Sequence, residues 1–435
     1  MVISSIDLKD GKVVQLRQGK DTVLERDDPE ALIREFNRYG ETAVIDLDGA
    51  LSSPEDGAAN TETKNSAILK KLLRMGNTRT GGGIRSVKKA KELIALGAEK
   101  IIVSSAAFTS QAGDGSMRYG LNEPFLESLA AAVGKERIIV SVDARGGRIA
   151  LHGWKTDSGL DVVESARQAE AYCSELLFTC VEREGGMSGI DMDIVRKLRA
   201  AVKCRLVAAG GVSSVEEIAA LEKTGCDVQL GMALYTGKVP LSESFIACLN
   251  WEKSPLIPVI AQSETGEVLM LGYVNQEALR ATFQSGYLTF WSRSRNKLWQ
   301  KGETSGNTLE VLKVRADCDR DTVLATVRPK GGVCHTGAWT CFQTSADRPY
   351  SLGFLYEIIR SRFANPTPGS YTATLTAPRV REKLLEEAEE LTEAEGRDEA
   401  VWECADVLYF LSVLMYQENV SWKDVLDELD RRHKK

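Results

Sequence analysis

The sequence lacks any apolar run that approaches the roughly 18 residues needed to cross a bilayer. It also lacks an excess of basic residues, because its 435 residues carry a formal net charge of −7 and its pI is near 5.4. Neither nucleic acid nor a membrane surface is therefore an expected partner. Residues 1–7 show neither the basic start nor the cleavage site of a signal peptide. We expect a cytoplasmic protein.

Cysteine and histidine are both scarce. Nine cysteines, an odd number scattered over a long chain, argue for reduced thiols and metal ligands rather than a disulfide framework. The chain has only three histidines. The hydrophobic content of 43% is enough to bury several cores, and the length predicts roughly two to four domains.

Three of the cysteines, Cys318, Cys334 and Cys341, fall within one short stretch. Three thiolates can hold Zn²⁺ at three corners of a tetrahedron and leave the fourth for water, which is the arrangement of a catalytic zinc site. The alternative is that they are ordinary buried thiols, since free cysteine behaves as a small apolar residue. The pattern favours zinc-dependent hydrolysis.

Three aspartates, Asp317, Asp319 and Asp321, surround Cys318. If this segment is extended, the carboxylates share one face and Cys318 points to the other. Carboxylates on one face repel each other unless a cation lies among them, and oxygen-only ligands suit Mg²⁺. The sequence thus predicts a magnesium site beside the zinc site.

Motifs at residues 290–295, 301–307, 317–321 and 334–337 give residues 251–342 a close resemblance to phosphoribosyl-AMP cyclohydrolase of histidine biosynthesis. The resemblance implies zinc-dependent hydrolytic opening of the six-membered ring of a phosphoribosyl nucleotide. It assigns the three cysteines to Zn²⁺ and the three aspartates to Mg²⁺. It also implies a site at a subunit interface, and therefore a homodimer.

The same resemblance assigns Arg293 and Arg295 to substrate binding. His335 follows the predicted ligand Cys334 directly. It could shuttle a proton, or it could support the zinc ligands from outside. Both roles stay open.

The first 245 residues alternate short apolar strands with amphipathic helical stretches. Apolar strands are predicted at 43–47, 100–104, 137–142 and 205–209. Such alternation over about 250 residues is typical of a parallel sheet, and closure into a (β/α)8 barrel is the economical solution.

An internal repeat indicates two half-barrels. Residues 82–87 reappear as 210–215, and residues 5–8 reappear as 141–144. Each half would contribute one glycine-rich turn that leads into a helix, where backbone N–H groups can bind a phosphate. Two such turns at one barrel mouth predict a substrate with two phosphates, and each half also places an aspartate at the end of its first strand.

The duplicated pattern, together with residues 7–12, 44–50, 81–85, 143–145 and 153–154, resembles the phosphoribosylformimino-aminoimidazole carboxamide ribotide isomerase barrel. The resemblance implies an Amadori rearrangement of an aminoaldose to an aminoketose, which needs two ionisable groups beside the sugar. It implies Asp7 as the base and Asp143 as the acid. The residues that it assigns to substrate or phosphate are Gly83, Ser105, Trp154, Thr179, Gly211 and Gly231.

Four places depart from the pattern of that family: Cys180, Glu184, Met232 and the pair Ser104–Ser105. Glu184 could replace a loop aspartate, although it is one methylene longer. An alternative therefore stays open, in which the barrel is a non-catalytic or altered scaffold on a bifunctional enzyme.

The last 85 residues follow a polar, proline-containing linker at 343–350 and have a helical pattern, with one break at 365–370. Glu387 and Glu390, like Glu403 and Asp406, are spaced to share one helical face. Glu403 and Asp406 sit in an apolar stretch that we expect to be largely buried, where carboxylates are costly unless they bind a metal or pair with a cation.

These helices resemble phosphoribosyl-ATP pyrophosphohydrolase, an all-α relative of the MazG nucleotide pyrophosphatases. The resemblance implies Mg²⁺ held over a triphosphate. The residues that it assigns to Mg²⁺ are Glu386, Glu387, Glu390, Glu403 and Asp406.

The sequence therefore predicts a multidomain chain. The predicted parts are a (β/α)8 barrel at 1–246, a small mixed α+β zinc domain at 250–345 and an all-α MazG-like bundle at 351–435. Their implied reactions are three consecutive steps of histidine biosynthesis, encoded in reverse order.

Overall fold

The computed structural model describes residues 1–52, 63–113, 116–343 and 348–433. The chain divides into two compact units. One unit comprises Met1–Ala261 and Leu271–Lys330, and the other comprises Gln262–Met270 and Gly331–Lys434. Within the described residues, every helix is too short or too polar to cross a membrane.

The N-terminal part of the first unit contains fifteen strands and ten α-helices among its described residues. The strands are β1 (Val2–Lys9), β2 (Lys12–Arg17), β3 (Asp21–Arg26), β4 (Glu41–Asp46), β5 (Thr78–Gly81), β6 (Lys100–Val103), β7 (Phe108–Gly113), β8 (Ser116–Leu121), β9 (Ile138–Ser141), β10 (Ala144–Arg145), β11 (Arg148–Leu151), β12 (Thr156–Asp161), β13 (Glu175–Thr179), β14 (Arg205–Ala209) and β15 (Asp227–Leu230). The helices are α1 (Pro29–Phe36), α2 (Leu47–Leu51), α3 (Ser66–Leu72), α4 (Val87–Leu96), α5 (Glu123–Val133), α6 (Val162–Ala169), α7 (Met192–Ala201), α8 (Val215–Lys223), α9 (Met232–Tyr235) and α10 (Leu241–Ala247).

Eight parallel strands close into a barrel in the order β1-β4-β5-β6-β9-β13-β14-β15, and β15 pairs back onto β1. This confirms the predicted barrel. Side chains alternate along each strand. Ile3 therefore faces the barrel interior with Ile139 and Leu177, whereas Ile6 packs outward in the layer between strands and helices.

The predicted repeat reappears in the local structure of the two halves. Ser86 begins α4 by accepting a hydrogen bond from the backbone N–H of Lys89, and Ser214 begins α8 by accepting one from Glu217. A side-chain oxygen at this position satisfies one of the unpaired N–H groups of a first helical turn. Residues 82–87 and 210–215 thus form the same strand-to-helix turn twice.

A smaller sheet region follows the barrel. Its elements are β16 (Ile257–Ser263), β17 (Val268–Val274), α11 (Gln276–Ser285), β18 (Thr289–Ser292), β19 (Lys297–Gln300), β20 (Leu309–Ala316) and β21 (Val323–Pro329). Four of these strands form a sheet in the order β17-β16-β21-β20, and β18 pairs with β19 as a hairpin. Gly286 directly follows helix α11, and its φ of +77° is the left-handed conformation that glycine adopts without strain.

The C-terminal part is helical, as predicted. Its helices are α12 (Leu352–Ala364), α13 (Tyr371–Thr374), α14 (Ala377–Glu393), α15 (Arg397–Gln417) and α16 (Trp422–His433). Ile359, Val380 and Val413 form the centre of its core. The predicted linker at 343–350 and the predicted domain end at 345 fall partly on 344–347, outside the described residues, as do the last two residues of the predicted bundle.

Candidate functional sites

The barrel encloses a cavity of about 240 Å³ where the carboxyl ends of its strands meet. This end of a (β/α)8 barrel is where such enzymes carry their active sites. The cavity brings together every residue that the sequence assigned to this site. They are Asp7, Gly83, Ser105, Asp143, Trp154, Thr179, Gly211 and Gly231.

Two aspartates occupy equivalent places in the two halves. The Ser5 hydroxyl donates to Oδ1 of Asp7 at 2.8 Å, and the Ser141 hydroxyl donates to Oδ1 of Asp143 at 2.7 Å. Because side chains alternate along a strand, each serine and its aspartate two residues later face the same interior. The repeat therefore presents two oriented carboxylates to one cavity.

Asp143 is held by two further donors. The indole Nε1–H of Trp154 donates to Oδ2 at 3.0 Å, and the hydroxyl of Ser104 donates to the same oxygen at 3.4 Å. A Cβ at Gly19 would lie 3.0 Å from the Trp154 ring. Gly19 thus leaves room for the indole, and nothing in the sequence pattern indicated this role.

Glu184 joins these aspartates in the cavity. Burial raises the pKa of Asp7 to about 6. Burial, with the nearby charges of Asp7 and Asp143, raises the pKa of Glu184 to about 8. At neutral pH the cavity therefore combines an ionised Asp7 with a protonated Glu184, which is the separation of pKa values that acid–base chemistry needs.

The β2–β3 hairpin positions the Glu184 loop. The backbone N–H of Gln18 donates to the Glu184 carbonyl at 3.1 Å. A Cβ at Gly185 would overlap the carbonyl oxygen of Leu16, so the loop can approach the hairpin this closely only with glycine. No periodic pattern in the sequence indicates this contact, because the hairpin and the Glu184 loop lie far apart along the chain.

Two glycine turns line opposite halves of the cavity. Gly83 and Gly211 have φ values of +68° and +94°. A Cβ at Gly83 would lie 2.5 Å from the carbonyl oxygen of Gly49, and one at Gly211 would lie 2.7 Å from that of Gly189. Each turn leads into α4 or α8, whose N-terminal N–H groups favour an anion.

The aspartates of the sheet region converge, although their backbone is not extended. Asp317 Oδ1 accepts hydrogen bonds from the backbone N–H groups of Asp321 and Thr322 at 3.0 and 3.1 Å. The prediction of an extended segment was therefore wrong, because the chain turns here, with Arg320 at a φ of +63°. The turn still brings oxygens of Asp317, Asp319 and Asp321 within 4.8 Å of one another.

A cationic side chain already lies at this turn. Lys253 contacts Asp319 and places its Nζ atom 2.8 Å from Oδ2 of Asp321. Lys253 balances part of the negative charge of the turn. The three converging carboxylates are oxygen donors of the kind that Mg²⁺ prefers, so the donor set fits this ion.

Of the three predicted zinc ligands, Cys318 belongs to the first unit, and Cys334 and Cys341 belong to the second. Cys318 and Cys341 are exposed and Cys334 is half-buried, so the alternative of ordinary buried thiols is wrong. The Thr336 hydroxyl donates to Sγ of Cys334 at 3.1 Å. Hydrogen bonds from Thr336 lower the pKa of the Cys334 thiol, which favours the thiolate that binds zinc.

His335 lies beside Cys334, and each of the two predicted substrate arginines lies over an aromatic ring. The Nδ1 atom of His335 is 3.8 Å from Sγ of Cys334. The Arg293 guanidinium lies 3.9 Å from the Tyr273 ring centre, and that of Arg295 lies 5.6 Å from the Trp299 ring centre. Both arginines are exposed and supply cationic groups that can contact phosphate.

Three carboxylates converge in the helical part. Oxygens of Glu387, Glu403 and Asp406 lie within 4.8 Å of one another. Burial and the charges of Glu390, Glu387 and Asp406 raise the pKa of Glu403. Oε2 of Glu403 is buried without a hydrogen-bond partner among the described residues, and an unpaired buried oxygen in a carboxylate cluster fits a cation site.

Two expectations for this cluster need correction. The neighbourhood of Glu403 is not largely buried, since Val401 is 56% exposed and Trp402 is 70% exposed. Glu386 and Glu390 lie outside the converging set. Glu386 pairs with Lys383 at 2.8 Å, and the same Nζ atom lies 3.3 Å from Glu387. Adjacent residues on a helix point about 100° apart, so Glu386 and Glu387 cannot share one site-facing direction.

Family models match three consecutive segments. They are the histidine biosynthesis protein family over residues 1–240, phosphoribosyl-AMP cyclohydrolase over 270–343 and phosphoribosyl-ATP pyrophosphohydrolase over 352–433. The first match alone covers more than half of the chain. The chain belongs to the histidine biosynthesis protein family.

This histidine biosynthesis protein is similar to curated proteins that cover part of it. The histidine biosynthesis bifunctional protein HisIE of Caldanaerobacter subterraneus is 43% identical over 199 residues, which are 43% of this chain and 97% of the relative. HisIE of Pyrococcus furiosus is 42% identical over 206 residues, which are 44% of this chain and 99% of the relative. The matches confirm the three resemblances found in the sequence.

Proposed function

We propose that this histidine biosynthesis protein removes pyrophosphate from phosphoribosyl-ATP, opens the adenine ring of the resulting phosphoribosyl-AMP, and isomerises the product in its barrel. The observation that carries the proposal is that each family-matched segment holds residues suited to its own step. The helical part has the Glu403 cluster, the sheet region has the converging Asp317–Asp319–Asp321 turn, and the barrel has Asp7 and Asp143 in one cavity.

For the first step, Glu387, Glu403 and Asp406 would hold Mg²⁺, with Glu390 adjoining them. When bound, the ion would neutralise phosphate oxygens. The three carboxylates lie close enough to repel one another. A cationic partner makes this arrangement favourable. Glu386, which pairs with Lys383, is left out of the ligand set.

For the second step, Cys318, Cys334 and Cys341 would hold Zn²⁺ and the Asp317–Asp319–Asp321 turn would hold Mg²⁺. When bound, zinc would make hydrolysis feasible near neutral pH by lowering the pKa of its water to about 7. Arg293 and Arg295 would bind the substrate phosphate. His335 lies close enough to Cys334 either to move a proton or to support the ligand.

For the third step, Asp7 would remove the proton from C2 of the aminoaldose, and Asp143 would protonate the ring oxygen. Glu184 is a second candidate for the proton donor, because its pKa of about 8 leaves it protonated at neutral pH. The turns at Gly83 and Gly211 would bind the two phosphates. A scaffold barrel would need neither the paired serine–aspartate geometry nor the two anion-binding turns, which favours an active barrel.

We also propose a homodimer. In the helical part, Leu385, Val401 and Trp402 are more than half exposed, and large apolar side chains in such positions mark a contact surface. The sequence predicts a dimer through the cyclohydrolase segment, and a second copy of the chain would also cover these side chains of the helical part.

The test is a product analysis with purified wild-type protein, phosphoribosyl-ATP, Zn²⁺ and Mg²⁺. We expect the aminoketose to accumulate. If the reaction stops at the aminoaldose while both earlier steps run, the scaffold alternative is correct, and a stop at phosphoribosyl-AMP would refute the proposed ring-opening site. Light scattering of the same sample measures the oligomeric state.

A further inference from the structure

The barrel and the aspartate turn of the sheet region are joined through one side chain. Arg320 lies between Asp319 and Asp321 in sequence, yet its guanidinium points away from them into the barrel wall. It pairs with the carboxylate of Glu222, at the end of α8, and with Asp227 at 3.2 Å, at the start of β15. Glu222 and Asp227 are each only 7% exposed.

The backbone of the turn is fixed to the same place. The carbonyl of Arg320 accepts a hydrogen bond of 2.7 Å from the N–H of Asn250, just after α10. The φ of +63° at Arg320 is a conformation that a non-glycine residue rarely adopts. An ion pair with buried carboxylates and a backbone hydrogen bond can hold such a residue in place, because together they outweigh the local strain.

The two buried acids need the cations that reach them. Arg205 donates to Asp227 at 2.6 Å, and the α-ammonium group of Met1 contacts both Glu222 and Asp227. Arg320 is the cation that the sheet region contributes to this group. A buried carboxylate that loses a partner is costly, so the barrel holds Arg320 firmly.

We propose that Arg320 is a positioning residue through which the barrel sets the geometry of the Asp317–Asp319–Asp321 turn for Mg²⁺. The inference rests on the proposed magnesium role of that turn. The anchor fixes the residue between two of the ligands, so the three carboxylates are preorganised before the ion binds. Without the anchor, the ion must order the turn itself, and its affinity falls.

The chain offers a matched control at the same junction. Arg280 of α11 makes a two-pronged ion pair with Glu243 of α10 at 2.9 and 3.0 Å. This pair also joins the sheet region to the barrel, but it has no contact with the aspartate turn among the described residues. Arg280→Ala removes one ion pair between the sheet region and the barrel and leaves Arg320 and its partners unchanged.

Hydrogen exchange of the metal-free full chain tests the anchoring itself. The amides of Asp321 and Thr322, which donate to Asp317, should exchange about ten-fold faster in Arg320→Ala than in wild type, because a charge-assisted anchor is lost. Arg280→Ala should leave them unchanged. Equal protection in wild type and Arg320→Ala would overturn the proposal, and so would equal loosening by both variants.

Magnesium titration separates positioning from a general loss of structure. We expect Arg320→Ala to raise the Mg²⁺ concentration for half-maximal ring opening about ten-fold while kcat at saturating Mg²⁺ stays near wild type. Arg320→Lys, which keeps the charge, should restore part of the affinity. Calorimetry with Mg²⁺ alone, in a Glu403→Gln background that weakens the other cluster, gives the affinity without activity. If the wild-type turn binds no Mg²⁺, the proposed function of the turn fails; if both forms bind equally, the positioning role fails.

Discussion

The indole Nε1–H of Trp154 donates a hydrogen bond of 3.0 Å to Oδ2 of Asp143. The tryptophan approaches from the loop between β11 and β12 with a φ of +65°. It fixes the direction of the carboxylate that would face the sugar ring. Trp154→Phe keeps most of the ring and removes the donor. We expect kcat of the isomerase step to fall about ten-fold or more, with ring opening unchanged, when each step is assayed separately.

Asp7→Asn should stop the reaction sequence at the aminoaldose. An amide has nearly the size of a carboxylate, but it cannot accept the C2 proton, so a loss of about a thousand-fold is expected in kcat. Chromatography of the products checks this. Wild-type rates of isomerisation in the folded variant would exclude Asp7 as the base, and Ser5→Ala, which removes only its hydrogen bond, should show a smaller loss.

The pH dependence of the barrel step should report Asp7 and Glu184. If Asp7 must be ionised and Glu184 protonated, kcat/KM rises through pH 6 and falls above pH 8, in line with their raised pKa values. Glu184→Gln should lose the upper limb and keep the lower one. An upper limb that persists in this variant would assign it to another group, with Asp143→Asn as the next variant to measure.

Glu184 should also make the barrel less stable in alkali. Its folded-state pKa of about 8 exceeds the ordinary value of 4.5, so the folded protein binds the proton more tightly than the unfolded chain. Its contribution to stability is therefore lost between pH 4.5 and 8 as the pH rises. Chemical denaturation should show Glu184→Gln equal to wild type near pH 4 and more stable at pH 9.

Cys334→Ser should lower bound zinc and abolish ring opening, because a neutral hydroxyl is a poor substitute for a thiolate. Pyrophosphate release should continue at the wild-type rate. The control is Cys404→Ser, since Cys404 is another free thiol but lies outside the predicted set. Full zinc content in Cys334→Ser, measured by elemental analysis, would contradict the ligand assignment.

Glu403→Gln should remove most pyrophosphate release and leave ring opening of supplied phosphoribosyl-AMP intact. It neutralises one carboxylate of the converging set with little change of shape. Glu386→Gln is the control, because the Glu386 carboxylate lies outside the converging set, although its partner Lys383 also contacts Glu387 at 3.3 Å. We expect this variant to retain activity. Assays at low Mg²⁺ give the clearest contrast, since a weakened site is then unsaturated.

The barrel could be predicted because strand alternation and the internal repeat are both periodic signals. The same repeat located Asp7 and Asp143, whose serine partners follow from a spacing of two on a strand. Contacts between distant segments that carry no periodic sequence pattern could not be predicted. The hairpin that holds Glu184, the glycine that makes room for Trp154 and the lysine beside Asp321 come from segments distant in sequence and bear no motif.

The errors also have physical causes. The aspartates were placed on an extended segment because their spacing alternates, but Arg320 adopts a left-handed conformation and turns the chain. The residues around Glu403 were expected to be buried because they are apolar. The structure leaves Val401 and Trp402 exposed, and hydrophobicity alone does not distinguish a buried core from an apolar surface patch.

The two ends of strand β15 belong to different sites, the ion-pair group around Arg320 and the barrel cavity. Asp227 at its start belongs to the ion-pair group that grips Arg320, and Gly231, just past its end, lines the cavity. Mutations in the loops that line the cavity can therefore accumulate without weakening the ion pairs that attach the sheet region at the start of β15. In such a chain the barrel can change or lose its catalytic activity and still provide the structural support of the sheet region.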